Sequence, residues 1–327
     1  MIPLSPRERK ILAFVQLQAD APIQRIAREV GVQAHTVRST LQNLVERGAI
    51  MPFTVVNPFP LGYSWYLLLF SLPAERKAVR QEVVQAFANI PEVSWLASFS
   101  GDFDYQVGFH AKSQLHAHAI LNELSNASPY LFRHKSFALR TSFHYFTKKY
   151  LTRDSKAIQC LTLDASQPAV PVTELDLRIL GVLDKSPLMS VQALAAQLGV
   201  PASTVDFRIK RLKKTGILAA ICYGISFPNS GVAGYRLNIQ LRDFNDKLHR
   251  ELLEFARRHP NISSYSRCLG SWDAEFGIEA DSYREVSDLE AEVARKFGKS
   301  IASMNCLQWL EELIMSQKFF LREAQSA

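Results

Sequence analysis

Cysteine is scarce in this sequence: four residues in 327, at Cys160, Cys222, Cys268 and Cys306. They form no CxxC pair and have no closely spaced histidine partner, which excludes a disulfide framework and a zinc ribbon. Reduced, mostly buried thiols are expected instead. Long apolar runs are missing as well. The most apolar one, WYLLLF from Trp65 to Phe70, is far short of the ~20 residues that cross a bilayer as a helix. The opening MIPLSPRERK lacks the apolar core of a signal peptide. A soluble, cytoplasmic protein with no membrane partner is expected. No nucleotide-binding glycine loop, metal-ligand cluster or nucleophile triad stands out, so neither a cofactor nor an enzyme is expected.

What the sequence does have is an ordinary globular composition, 47% hydrophobic and 21% charged, at a length that calls for two domains or more. Its net charge of +7 and pI near 9.2 favour an anionic partner such as nucleic acid. The dominant feature is an internal repeat. Ile11-Leu12 returns as Ile179-Leu180, Gly31 as Gly199, Thr36-Val37 as Thr204-Val205, Leu44 as Leu212 and Gly48 as Gly216, all at an offset of 168. Phe59-Pro60 returns as Phe227-Pro228, Pro91 as Pro260, and Gly101 with Asp104 as Gly270 with Asp273. Two homologous units are read, joined by a segment rich in Pro, Ser and Asp.

Each unit opens with three short helices. In the second, Thr173 caps a helix carrying Leu175, Ile179, Leu180 and Leu183, and Ser190 caps a helix that ends at Gly199. A third helix from Ala202 buries Val205, Ile209 and Leu212 and stops at Gly216. Two helices about a glycine turn, the second basic on its outer face, form a helix-turn-helix. In unit 2 the groove-facing candidates are Ser203, Thr204, Arg208, Lys210, Arg211 and Lys214. Arg208 and Arg211 share a face away from the apolar stripe and suit phosphates or guanine edges.

Both trihelical parts carry +3, but differently placed: residues 201–215 hold five basic groups against Asp206, whereas 33–47 hold Arg38, Glu46 and Arg47. Unit 1 puts Arg25 and Arg28 on the preceding helix, leaving Gln33, His35, Thr36, Arg38, Ser39 and Gln42 to meet base edges. Two unlike DNA-reading heads are expected.

After each head come an apolar strand, a helix (from about Ala74 in unit 1, with Val79, Val83 and Phe87 inward), two strands, a helix and a last strand. The order βαββαβ is the ferredoxin-like split motif, with both helices on one face of an antiparallel sheet. The other face needs a cover, most simply a second such sheet, from the same chain as a pseudo-dimer or from another chain in a homo-oligomer. The fold class is α+β. Helix-turn-helix domains, trihelical or winged, occupy 1–55 and 172–222, ferredoxin-like effector and dimerisation domains occupy 56–151 and 223–327, and 152–171 is a linker.

A trihelical DNA-binding domain followed by βαββαβ resembles the Lrp/AsnC family of transcriptional regulators. SGDFDYQVGFH, from Ser100 to His110, is similar to that family's Gly-Asp-Phe-Asp-Tyr turn between the two central strands of its effector-binding domain. The resemblance implies a regulator of double-stranded DNA modulated by a small molecule such as an amino acid. It implies that Ser100, Gly101, Asp102, Phe103 and Asp104 shape an effector pocket, with Gly270 and Asp273 at the matching turn of unit 2. The competing account of this turn is local: Gly101 supplies a positive φ and the aspartates satisfy backbone donors.

Unit 2 has Ser271 and Trp272 where unit 1 has Asp102 and Phe103, which argues against a shared ligand. Paired units of this kind also resemble siroheme decarboxylases, and His110, His116, His118, His134 and His144 make an enzyme of tetrapyrrole biosynthesis the alternative. His116 and His118, two apart on a helix, cannot share a face, and the intact GDFDY favours the regulator. A third reading is a scaffold whose heads no longer bind DNA.

Overall fold

The computed structural model of the chain describes residues 4–73, 80–152 and 159–321. The first head consists of α1 (Pro6–Val15), α2 (Ile23–Val30) and α3 (Ala34–Glu46), followed by β1 (Ile50–Val56). The second consists of α6 (Glu174–Lys185), α7 (Val191–Leu198) and α8 (Ala202–Lys214), followed by β7 (Leu218–Ile225). Capping boxes set both starts. Ser5 and Glu8 exchange side chain to backbone hydrogen bonds at α1, and Thr173 and Asp176 do so at α6. Gly31 and Gly199, at φ 73° and 69°, make the left-handed turns between the second and third helices.

The elements β2 (Ser64–Ser71), α4 (Arg80–Ala88), β3 (Val93–Ser100), β4 (Tyr105–Ala111), α5 (Gln114–Ala127) and β5 (His134–Phe146) form the first βαββαβ unit. The expected start of α4, including Ala74 and Val79, lies outside the described residues. A short strand, β6 (Cys160–Asp164), follows in the segment expected to be a linker; it pairs antiparallel with the end of β5, from Ser142 to Phe146. A one-turn helix, α9 (Phe227–Ser230), precedes the second unit. That unit comprises β8 (Ala233–Leu241), α10 (Asp246–Arg258), β9 (Ile262–Gly270), β10 (Ala274–Ala280), α11 (Tyr283–Phe297) and β11 (Ile301–Met315).

The two sheets join at both edges, β3 to β11 and β5 to β9, so that eight strands close into a ring: β2-β4-β3-β11-β8-β10-β9-β5 and back to β2. Closure leaves none of these eight strands with a free edge along the ring. It also explains the run WYLLLF, which is buried on both faces. Tyr66, Leu68 and Phe70 face the helix-covered core with Val83, Phe87 and Ile120. Leu67 and Leu69 face the ring interior with Ala97, Phe99, Trp272 and Leu307. Each buried leucine of such a strand contributes roughly 1.5–3 kcal/mol.

β1 and β7 pair with each other, antiparallel from Ile50–Ile225 to Val56–Leu218, as a ribbon that carries each wing to the opposite head. Tyr223 N of β7 donates to Gln16 O in the first head at 2.9 Å. Thr54 Oγ1 of β1 donates to Leu183 O in the second at 2.6 Å. The cores agree. Ile221 and Tyr223 pack with Ile11, Leu12 and Leu44 of the first head, while Val56, Tyr63, Phe319 and Phe320 pack with Leu180, Leu194 and Val205 of the second. Each head is thus completed by residues far away in the chain.

Candidate functional site

The outer faces of α3 and α8 are exposed. On α8, Ser203, Phe207, Lys210 and Lys214 are exposed at helical spacing, and on α3 the equivalent positions are His35, Ser39, Gln42 and Glu46. Neither helix has a side-chain cap: Gln33 and Pro201 stand at the cap positions without such a bond. Their first backbone N–H groups are therefore unclaimed by a capping side chain and can meet an anion such as a DNA phosphate.

Arg208 and Arg211 are not on that outer face. Their Nη1 atoms lie 3.3 and 3.2 Å from Asp176 Oδ2, and Arg211 Nη2 also donates to Pro171 O at 2.8 Å. Asp176 is fully buried, and a buried carboxylate needs paired, hydrogen-bonded partners, so the two arginines fasten α8 to the start of α6. Lys210 pairs with Asp206, and Lys213 reaches Asp20 in the first head at 2.5 Å. Thr204 is half-buried beside Ser203.

In the first head Arg25 and Arg28 are exposed on α2; Arg25 lies 6.0 Å from the Phe14 ring, and Arg28 is 3.9 Å from Glu29. Gln33 and Arg38 are exposed, and Thr36 is half-buried, its hydroxyl 3.3 Å from His35 Nε2. Ser39 Oγ donates to Thr36 O at 3.2 Å, and Gln42 donates to Glu46 at 2.8 Å.

The two central turns make local bonds. Gly101 and Gly270 have φ of 132° and 148°, in the region that favours glycine. Asp104 Oδ2 accepts from Leu72 N at 2.8 Å, and Asp273 Oδ2 accepts from Leu241 N at 2.8 Å. Each aspartate ties its turn to the end of the unit's first strand. The turns also meet the other unit: a Cβ on Gly101 would lie 2.9 Å from Leu307 Cδ2, and one on Gly270 would lie 2.4 Å from Phe137 O. Asp102 is exposed and accepts from Asn305 Nδ2 at 3.1 Å. Ser100 is exposed, and Phe103 packs at the edge of the interior cluster.

A chamber of about 690 Å³ lies elsewhere, between the β1/β7 ribbon and the mouth of the ring, lined among others by Trp65, Trp95, His110, Arg140, Arg236 and Trp309. Arg140 Nη2 donates to Glu275 Oε1 at 2.8 Å, and Gln106 Nε2 donates to Glu275 Oε2 at 2.9 Å. Arg236 Nε stands 4.0 Å from the same carboxylate. Lys148 and Tyr150 both bond Glu279. Burial first, and Arg140 second, push His110 down to about 3, so it is neutral, and its Nε2 lies 2.8 Å from Ser94 Oγ.

The five histidines do not gather. His110 lines the chamber, while His116 is 3.6 Å from Glu92, His118 bonds Asn122, His144 meets Thr162 and His134 is exposed. Among the described residues no group of three or more His, Cys, Asp and Glu is placed to hold a metal ion, and no helix is long and apolar enough to cross a membrane.

Comparison with known proteins matches residues 172–219 to a model of winged helix-turn-helix DNA-binding domains and 67–145 to the Lrp/AsnC ligand binding domain. The HTH-type transcriptional regulator FL11 of Pyrococcus horikoshii is 30% identical over 113 residues, which are 34% of this chain and 74% of that protein. The chain belongs to the Lrp/AsnC family. FL11 of Pyrococcus abyssi is 26% identical over 141 residues, 92% of that protein and 43% of this chain. Over the whole length the fold is like that of the siroheme decarboxylase NirDL, at a TM-score of 0.62 and 15% identity, covering 98% of this chain and 97% of that one. At that identity the likeness is one of fold.

Sequence reasoning missed the chamber. One signal was present: β4 reads Tyr-x-Val-x-Phe-x-Ala and β10 reads Ala-x-Phe-x-Ile-x-Ala, and the x positions carry Gln106, Gly108 and His110 or Glu275, Gly277 and Glu279. Polar groups and glycine on the inward face of a buried strand mark something other than a plain core.

Proposed function

We propose that this member of the Lrp/AsnC family is a sequence-specific regulator of transcription whose single chain presents two unlike heads to double-stranded DNA, modulated by a small-molecule effector and acting without catalysis. The observation that carries this reading is the pair of uncapped, outward-facing helices α3 and α8, with different residues at equivalent positions. Lys210 and Lys214 on α8 favour phosphates and guanine edges. His35, Ser39 and Gln42 on α3 offer neutral donors and acceptors to base edges, with Arg25 and Arg28 holding the backbone nearby. Arg208 and Arg211 serve through their hold on Asp176. The operator is then two different half-sites about 34 Å apart or a multiple of it. The work of such a protein is in the cytoplasm, beside chromosomal DNA.

Binding-site selection from random DNA with the intact chain tests this. Two dissimilar half-sites are expected, with recognition of one lost in Ser39→Ala plus Gln42→Ala and of the other in Lys210→Ala plus Lys214→Ala. A perfect palindrome, or no enrichment at moderate salt, would refute it.

The whole-length fold likeness to NirDL supports a second reading, an enzyme acting on a tetrapyrrole. The dispersal of the five histidines favours the regulator. Titration with siroheme, followed by absorbance and by release of carbon dioxide, separates the two readings.

A further inference from the structure

Three of the chain's four tryptophans meet two arginines in the chamber between ribbon and ring. The Arg236 guanidinium lies 4.7 Å from the Trp309 ring and 5.6 Å from Trp95, and that of Arg140 lies 4.2 Å from Trp65. Glycines make the room. A Cβ on Gly277 would lie 2.3 Å from Arg236 Nη1, and one on Gly108 would lie 3.1 Å from Trp65 Nε1. Neither is among the glycines with positive φ, so space, not backbone conformation, is what each supplies.

Hydrogen-bonding capacity in this chamber is lopsided. Arg140 Nε, Arg236 Nε, Trp65 Nε1 and Trp309 Nε1 are buried and have no hydrogen-bond partner among the described residues. All four are donors; His110 Nδ1, also on the wall, is likewise without a partner among the described residues, its role set by the tautomer. Buried donors without partners are costly. The charges are uneven too: Glu275 meets Arg140 at 2.8 Å but Arg236 only at 4.0 Å. Three further carboxylates line the wall, each with its own partner: Glu279 with Lys148 and Tyr150, Glu311 with Arg80, and Glu312 with Trp95 Nε1. The unpartnered donors beside Arg236 therefore call for an acceptor-rich anion. Walls of indole and phenyl rings, including Phe53 and Phe143, call for a flat apolar body. The volume is in the usual range for small-molecule sites, about 300–1,000 Å³.

We propose that the chamber binds an aromatic carboxylate, its carboxylate on Arg236 and the indole N–H groups and its ring against the aromatic wall. The site is distinct from the Gly101 and Gly270 turns. Met51 and Phe53 of β1 and Ile225 of β7 line it, and these strands lead straight out of α3 and α8, so an occupant touches the ribbon that sets the heads. The proposal deepens the effector reading and rests on it for the consequence, while binding itself can be measured without DNA.

Calorimetric titration of the intact chain with indole-3-acetate, indole-3-acetamide and acetate tests it. Saturable binding of indole-3-acetate is expected, at least tenfold tighter than the amide or acetate. Arg236→Gln should weaken it at least tenfold. Trp309→Phe, which keeps the packing and removes the N–H, should weaken it severalfold, with thermal melts verifying the fold. No saturable binding up to 1 mM (roughly the weakest affinity of a specific small-molecule site), equal binding of acid and amide, or indifference to both substitutions would overturn the proposal. Should Arg236→Gln fail to fold, Trp309→Phe decides. Binding that leaves DNA affinity unchanged supports the site and counts against the effector reading. Loss of DNA binding with the acid still bound supports the site and counts against the regulator reading alone.

Discussion

Gln106 Nε2 donates to Glu275 Oε2 at 2.9 Å across the inside of the ring, and the two residues hold equivalent places on β4 and β10. A self-paired unit carrying Glu275 at both places would set two buried carboxylates against each other. One amide and one carboxylate form a hydrogen bond instead, and the carboxylate also serves Arg140 and Arg236. The two units are therefore fitted to each other and not to copies of themselves.

Glu275→Gln should leave two buried guanidiniums without their counter-charge and cost about 3–5 kcal/mol, the range for breaking a buried ion pair from one side. Urea unfolding measures it. Burial acts to raise the Glu275 pKa, but Arg140 and Arg236 outweigh it and hold the carboxyl below its usual range. A depressed pKa means stability that is present above the unfolded value of 4.5 and lost as pH falls through the lower folded value. The variant should lack this part of the acid sensitivity.

How much of this was legible follows from sequence distance. The head helices and their caps, the run from Trp65 to Phe70 and the tight turns at Gly101 and Gly270 are local patterns, and the sequence displays them directly. The hold of Asp176 on Arg208 and Arg211 is not local: the face of α8 away from its apolar stripe reads as solvent until α6 is in place. Ring closure was open between one chain and two, because a sheet's uncovered face states that a partner is needed and not which one. The chamber depended on inward positions of strands from both units meeting, which no single strand announces.

Lys210→Ala plus Lys214→Ala should lower DNA affinity and reduce the slope of log K against log salt by up to about 2, near 0.9 for each phosphate no longer neutralised. Arg208→Ala plus Arg211→Ala should act first on stability, because Asp176 is left buried and unpaired. Anisotropy titrations across a salt series, beside thermal melts of the same variants, distinguish the two effects. Equal salt slopes for both pairs would argue against the outer face assigned to α8.

Asp273→Ala should cost about 1–3 kcal/mol by leaving the Leu241 N–H without its acceptor, and Asp104→Ala should do the same through Leu72 N. Asp102→Ala, which removes an exposed bond to Asn305, should cost under about 1 kcal/mol. Urea midpoints of the three variants check the order. If Asp102 proved the most costly, the turn would not be locked as described.

Glu312 stands on the chamber wall and accepts from Trp95 Nε1 at 3.2 Å. Burial pushes its carboxyl up to about 7, against the hydrogen bond from Trp95 and the charges of Arg236 and Lys148, all of which act to lower it. The folded chain thus holds a proton that the unfolded chain, with an ordinary value of 4.5, releases. Stability from this group is complete below pH 4.5, declines as pH rises to about 7 and stays lower above. Glu312→Gln should therefore be more stable than the parent at pH 8, by on the order of 1 kcal/mol for a carboxylate at a partly wetted wall. Melts at pH 5 and pH 8 give the comparison, and an equal difference at both would refute the assignment.

Gly277→Ala tests whether glycine holds Arg236 in place. The added Cβ would lie 2.3 Å from Arg236 Nη1 and 2.2 Å from Ser264 Oγ, so the guanidinium must leave its seat against Trp309 and draw away from Glu275. Overpacking of this kind costs roughly 1–3 kcal/mol. The cost should depend on Arg236 being there. In a double-mutant cycle with Arg236→Met, the two changes should be less than additive by at least about 0.5 kcal/mol, the scale of coupling between neighbouring residues. Additive effects would mean that the methyl group harms the strand pairing itself, and that Gly277 has no part in seating the arginine.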